Sequence, residues 1–199
     1  MTLEALEIEK LLPAEFTAPG LTEAEFLAFA DRFPDCLLEY TADGVVIVMP
    51  PTDPENSERV VETVAQLRNW AREQGPGHVI GPDGGFFLAN GARRSPDAAW
   101  FDASRWEAAQ KPGTLFPVFA PEFLIEVRSP KQRIRPLREK MEEYIANGVQ
   151  LGWLIDPVDR TVTIYRPGRA PEALTNPSTV AGEGPVAGFV LNLERIFAV

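Results

Sequence analysis

Residues 122–128 read EFLIEVR, and this stretch decides the fold. Successive side chains of a strand point to opposite faces. Phe123, Ile125 and Val127 therefore share one face, and Leu124, Glu126 and Arg128 share the other. The segment is otherwise apolar enough for a central strand. A carboxylate in the middle of such a strand is costly unless it is paired or binds a metal. Glu126 and Arg128 stand roughly 7 Å apart by strand rise, so an internal ion pair is one reading and a ligand role for Glu126 is the other.

Downstream, the chain turns basic. Arg128, Lys131, Arg133, Arg135, Arg138 and Lys140 place six cations in thirteen residues, interrupted by Glu139. Leu137 to Asn147 then predicts a helix stopped by Gly148. At 3.6 residues per turn, Leu137, Met141, Tyr144 and Ile145 fall within about 100° of one another, and Glu139, Glu142 and Glu143 lie on the far side. Lys140 borders the buried face beside Tyr144. It either snorkels over the core edge or reaches inward to a site. Leu151–Asp156 and Thr161–Tyr165 predict a hairpin closed by Pro157 to Arg160.

Upstream, Pro96 holds Ser95 extended and opens a strand to Phe101 whose first acid is Asp97. Phe86 to Leu88, turning at Asn90-Gly91, pairs with it in a second predicted hairpin. Glu55 to Gln74, closed by Gly75, carries a helical repeat of Val60, Val61, Val64, Leu67 and Trp70. Leu37 to Met49 forms a hairpin around Asp43-Gly44. Thr22 and Glu25 make a capping box ahead of a helix that Pro34 stops. Residues 1–20 read as a loosely attached arm, and 21–199 as one domain. Helices interleaved with paired strands give an α/β (α+β) fold with a mixed central sheet flanked by helices.

Composition narrows the chemistry. The 199 residues are 45% hydrophobic and 24% charged, values of an ordinary globular domain. A single cysteine, Cys36, and a single histidine, His78, exclude a disulfide framework, a cysteine-rich zinc site and any mechanism needing two imidazoles. Cys36 reads as a small hydrophobe and His78 as a surface residue. Without a membrane-length apolar run or a basic leader, the expectation is a cytoplasmic protein with no membrane partner. The first 60 residues hold thirteen acids against three bases, which accounts for the whole net charge of −10. The protein is therefore no general nucleic-acid binder, but the basic stretch at 128–140 can still meet a polyanion. Two carboxylates on neighbouring strands, Asp97 and Glu126, with Lys140 on the next helix, suit a hard divalent cation and a phosphodiester.

The motifs also occur in a familiar order. Pro96-Asp97 precedes Glu126-Val127-Arg128-Ser129-Pro130; Lys140-Met141, Tyr144 and Asn147-Gly148-Val149 follow, then Gly152-Trp153-Leu154-Ile155-Asp156-Pro157. Glu39, Asp43-Gly44, Met49-Pro50-Pro51, Gly85-Phe86, Tyr165-Arg166-Pro167-Gly168 and Gly188-Phe189 extend the pattern. Over roughly residues 21 to 199 the chain resembles the Uma2 family, also called DUF820, within the PD-(D/E)xK nuclease superfamily.

The resemblance implies a restriction endonuclease-like fold, a Mg²⁺ or Mn²⁺ cofactor, and Asp97 and Glu126 as ligands with the Val127 carbonyl as a third. It also implies DNA as the partner; a homodimer is left open. The chain departs from the superfamily where Arg128 stands in place of lysine. Arginine is always protonated, so it can hold phosphate but cannot act as a base, and Lys140 is the natural replacement. On this reading Asp97, Glu126 and Lys140 are catalytic, while Arg128, Lys131 and Arg133 grip substrate. Glu39 is an auxiliary ligand or a partner for Lys140. The expected function is metal-dependent DNA cleavage. The competing expectations are a nuclease fold without turnover that binds nucleic acid or protein, and a hydrolase of small phosphoesters.

Overall fold

The computed structural model describes residues 13–74, 76–109 and 117–198. In chain order the elements are β1 (Ala14–Thr17), α1 (Glu23–Ala30), β2 (Leu37–Tyr40), β3 (Val45–Met49), α2 (Pro54–Gln74), β4 (Gly77–Ile80), β5 (Phe86–Phe87) and β6 (Arg93–Arg94). There follow β7 (Ala98–Asp102), α3 (Ala103–Ala109), β8 (Phe123–Val127), α4 (Ile134–Ala146), β9 (Leu151–Asp156) and β10 (Thr161–Tyr165). The chain ends with β11 (Glu172–Thr175), β12 (Thr179–Ala181), β13 (Val190–Asn192) and α5 (Glu194–Ala198).

The larger sheet runs β11-β10-β9-β8-β7-β4 and is mixed, with β8 and β9 parallel and the other pairs antiparallel. Its centre is the stretch read first: all five residues of β8 are buried. The alternation holds. Phe123, Ile125 and Val127 pack with Val60 and Leu67 of α2 and with Trp153, Phe189 and Ile196. On the other face Leu124 packs with Leu137, Met141 and Tyr144 of α4, which leaves Glu126 under that helix.

The smaller sheet, β1-β3-β2-β6-β5, sits apart from the first. One face covers Phe26 of α1 through Leu38, Tyr40, Val46 and Val48. The capping box of Thr22 and Glu25 is present at the start of α1. On the opposite face Glu15 and Glu39 flank Ile47 in register.

Three expectations need adjustment. Asn90-Gly91 does turn a hairpin, but between β5 and β6 in the smaller sheet, whereas the strand after Pro96 joins β8 and β4 in the larger one. Proline cannot donate to a ladder, so Ser95-Pro96 is where the chain crosses between sheets. α4 starts at Ile134, three residues before the predicted Leu137, because Pro136 lies in the first turn, where no intrahelical N–H bond is lost. Within the predicted arm, Ala14–Thr17 form β1, paired along its length with β3; residues 1–12 lie outside the described residues. So does Gly75, the predicted stop of α2, and so do residues 110–116. Gly148 ends α4 as expected, with φ of 103° that suits glycine.

Candidate active site

Four elements converge on one cluster of charge. β8 presents Glu126 beneath α4, and α4 presents Lys140 one turn before Tyr144, so both reach the same carboxylate. Lys140 Nζ lies 2.8 Å from Glu126 Oε1 and 2.7 Å from Glu39 Oε1. The Tyr144 hydroxyl donates to Glu126 Oε1 at 2.9 Å. Glu39 arrives from β2 and is further held by the Ser95 backbone N–H at 3.0 Å and by Arg94 at 3.1 Å. Arg94 also donates to Glu143 at 2.7 Å. Asp97 stands just before β7, and its Oδ2 accepts the Val127 N–H at 2.7 Å. That bond ties the start of one strand to the end of its neighbour.

Charge and burial set the protonation. Burial alone would lower the Lys140 ammonium, but the carboxylates of Glu126 and Glu39 outweigh it and hold the group protonated above its usual range. Burial also favours the neutral form of Glu39, yet Lys140 and Arg94 prevail and keep it ionised. For Glu126 the balance tips the other way: burial, with the Glu39 charge adding, raises it against the pull of Lys140. Burial and the adjacent Glu126 charge push Asp97 up to about 7. Burial raises the Tyr144 hydroxyl well above its usual value, so it stays a donor.

The cluster opens into a cleft of about 1950 Å³ whose lining includes Glu39, Asp97, Glu126, Val127, Lys131, Arg133 and Lys140. Seven of the eight predicted site residues thus face one space. The eighth, Arg128, does not. β8 ends at Val127, so the face alternation behind the Glu126–Arg128 pairing stops there. The Arg128 guanidinium bonds Asp156 at 2.7 Å and the Gln132 carbonyl at 3.0 Å. It neither pairs with Glu126 nor lines the cleft, so the structure places it apart from the other residues expected to grip phosphate.

The basic stretch is likewise split. Arg135 pairs with Glu139 in solvent, Lys140 turns inward, and only Lys131 and Arg133 line the cleft as exposed cations. Sequence reasoning missed the parts of Arg94, Ser95 and Tyr144. For Tyr144 the signal existed: it lies four residues after Lys140 on the same helix face. For Arg94 nothing local indicated that a strand of two residues would aim it at Glu39.

The donor set suits a hard divalent ion. Asp97 Oδ1 and Glu126 Oε2 accept no hydrogen bond among the described residues, and both side chains line the cleft. The two carboxylates repel one another, which a cation would relieve. No group of three or more His, Cys, Asp or Glu side chains placed to hold a metal occurs among the described residues. Mg²⁺ is commonly held by one or two carboxylates, with waters and substrate phosphates completing its shell, so two acids are enough.

The architecture, a mixed sheet flanked by helices, is shared with a solved structure. It superimposes with a TM-score of 0.71 on a crystal structure titled "a putative nuclease belonging to DUF820" from Anabaena variabilis ATCC 29413. The two are 24% identical, and the match covers 88% of this chain and 96% of that one. Residues 23–194 match the Uma2 family, described as "Putative restriction endonuclease", and the chain belongs to that family. No curated protein matches it. No helix among the described residues is long and apolar enough to cross a membrane.

Proposed function

We propose that this protein is a Mg²⁺- or Mn²⁺-dependent nuclease that hydrolyses phosphodiester bonds in DNA, acting in the cytoplasm. The observation that carries the reading is Lys140 Nζ held between Glu126 and Glu39 in the cleft that Asp97 also lines. Asp97 and Glu126 would hold the ion, with the Val127 carbonyl beside them. A divalent ion there supplies Lewis-acid polarisation of the scissile phosphate and makes water a stronger nucleophile.

The protein's own groups do the rest. Lys140 stays protonated, so it cannot abstract a proton; it donates hydrogen bonds that orient the attacking water and stabilise negative charge as it develops on the phosphoryl oxygens. Glu39 and Tyr144 fix that ammonium and the Glu126 carboxylate in place. Lys131 and Arg133 meet the flanking phosphates.

One observation favours a second reading, a nuclease fold without turnover that binds nucleic acid or a protein. The arginine in the superfamily's lysine position is locked to Asp156 and contributes nothing to the cleft. Incubating supercoiled, linear and single-stranded DNA with Mg²⁺ or Mn²⁺ separates the two. Chelator-sensitive cutting that Asp97→Ala abolishes is expected. Cutting that persists in Asp97→Ala, or none in the wild type, overturns the nuclease reading.

A further inference from the structure

The charge of the cleft is one-sided. Three exposed cations line it, Arg68 on α2 and Lys131 and Arg133 between β8 and α4, and none of them forms an ion pair among the described residues. All three come from elements packed on the larger sheet. The smaller sheet's lobe contributes exposed carboxylates instead: Glu15 on β1, Asp35 before β2 and Asp43 in the β2–β3 turn. Asp53 just before α2, Asp83, and Glu139 of α4, which is paired with Arg135, add three more acids to the lining. Outside the central cluster the cleft is therefore net negative, and its cations belong to one lobe.

A duplex presents two phosphate ribbons with one charge per about 1.7 Å of axis. Seating it across Asp97 and Glu126 would bring one ribbon to the cations and press the other toward Glu15, Asp35 and Asp43. Repulsion between like charges at such an interface opposes the second approach. A lone strand avoids Glu15, Asp35 and Asp43, since its single backbone can follow Arg68, Lys131 and Arg133.

α2 also offers a surface for bases. Val61, Ala65 and Arg68 recur at helical spacing, all exposed and all in the cleft lining. Val61 is 63% exposed, against its expected place in the core repeat. An apolar pair followed by a cation on one helix face can lie against unstacked bases with a phosphate beside them. Single-strand grooves combine a cationic track with aromatic rings, and here two aliphatic side chains stand in the place of the rings.

We infer that the cleft selects a single-stranded polynucleotide over a duplex, the strand following Arg68, Lys131 and Arg133 while the acidic lobe turns the complementary strand away. The location of this surface rests on the nuclease reading of Asp97 and Glu126.

Fluorescence anisotropy of the full chain with a labelled single-stranded DNA, the RNA of the same sequence and the DNA duplex tests it, with Ca²⁺ as the hard cation. A single strand should bind at least tenfold more tightly than the duplex, and the DNA-to-RNA ratio then identifies the preferred sugar. Three neutralised phosphates predict a salt slope of about 2 for a single strand. Replacing Arg68, Lys131 and Arg133 together by alanine should flatten that slope. The variant Glu15→Gln/Asp35→Asn/Asp43→Asn should raise duplex binding and narrow the preference at least threefold.

A duplex bound as tightly as either single strand, or a slope that survives the triple alanine variant, overturns the inference. Cleavage of the same oligonucleotides in Mg²⁺ or Mn²⁺ is scored separately. Cutting without strand preference leaves the nuclease reading standing and removes this one. Strand preference without cutting supports this inference and removes the nuclease reading.

Discussion

Two buried groups of charge lie near the ends of the parallel pair β8 and β9, and they are built on opposite principles. At Asp156, 2% exposed, both carboxylate oxygens are hydrogen-bonded. One oxygen accepts the N–H groups of Val158 and Asp159, the other accepts Arg128, and Arg128 completes itself on the Gln132 carbonyl. One cation meets one buried anion, with the exposed Asp159 carboxylate 4.0 Å from the same guanidinium. Around Glu126 four carboxylates (Glu39, Asp97, Glu126 and Glu143) share Lys140 and Arg94, with the Arg93 guanidinium adding its charge beside Glu39. One oxygen each of Asp97 and Glu126 accepts no hydrogen bond among the described residues. A balanced pair fastens a loop to a strand, whereas an unbalanced cluster is held ready for a positive ligand. Buried charge alone does not mark a site; uncompensated buried charge does.

The sharpest way to break this contrast is Asp97→Asn. The variant keeps the shape and an oxygen for the Val127 N–H but removes the charge that the protein leaves unpaired. Cleavage should fall by ~10³ or more, an effect of the size that losing a critical electrostatic group can produce. Stability should move the other way. The folded value of Asp97, about 7, lies above its ordinary 3.8, so folding favours its protonated form. The stability it contributes is complete below about pH 4 and is lost as the pH rises through 7. At pH 8 the asparagine variant should therefore be the more stable protein by as much as ~4 kcal/mol, with the gap closing toward pH 4. Denaturant melts across that range check it. A variant less stable than wild type at pH 8 would show that Asp97 is paired after all.

Next come Lys140→Met and Arg128→Met, one from each cluster. Both strip a cation from buried carboxylate, so each should cost about 3 kcal/mol of stability. Their activities should diverge. Lys140→Met should lose ~10² in turnover, while Arg128→Met, measured below its melting temperature, should cut DNA within about threefold of wild type. Equal losses of turnover would erase the distinction between scaffold and site. The reverse order would restore Arg128 to the reaction.

Tyr144→Phe sharpens the cluster internally. Its hydroxyl donates to a charged, buried partner, so removal should cost about 1–3 kcal/mol and lower turnover by less than tenfold. Glu126 keeps Lys140, and that is why the effect is smaller. A loss as large as that of Lys140→Met would mean the hydroxyl touches the reacting atoms.

What can be read from the sequence follows from how local each feature is. EFLIEVR determines its own faces, because alternation is a property of a single strand, and it puts Glu126 on the α4 side. Helix geometry alone places Lys140 at the edge of the buried face, and there it is. Asp97 and Glu126 share the cleft as the order of motifs suggests. The departures are all non-local. Arg128 shares a face with Glu126 only where the strand continues, but β8 stops one residue earlier and Asp156, on another strand, captures the guanidinium. The Asn90-Gly91 turn is legible and its partner strand is not, since nothing in residues 86–101 says that the chain changes sheets at Pro96. Arg94 depends on a two-residue strand and on Glu39, 55 positions earlier.

The smallest expected effect closes the argument about the basic stretch. The density of cations at 128–140 suggests one polyanion-binding strip, yet a helix distributes side chains around its axis and a loop aims them individually. Arg135 ends in solvent, 88% exposed, beside Glu139, and Arg138 is exposed outside the cleft lining. Exposed i,i+4 pairs contribute little. Arg135→Ala combined with Arg138→Ala should therefore leave the melting temperature, the cleavage rate and the salt dependence of DNA binding where they were. Lys131→Ala with Arg133→Ala should lower the salt slope by ~0.7 for each phosphate of a single strand that is no longer neutralised. Two pairs of equal charge change, separated by a few residues, thus differ only in where the fold points them. If the Arg135 and Arg138 variant flattened the slope as much, cation density would govern binding and the cleft would lose its claim to the substrate.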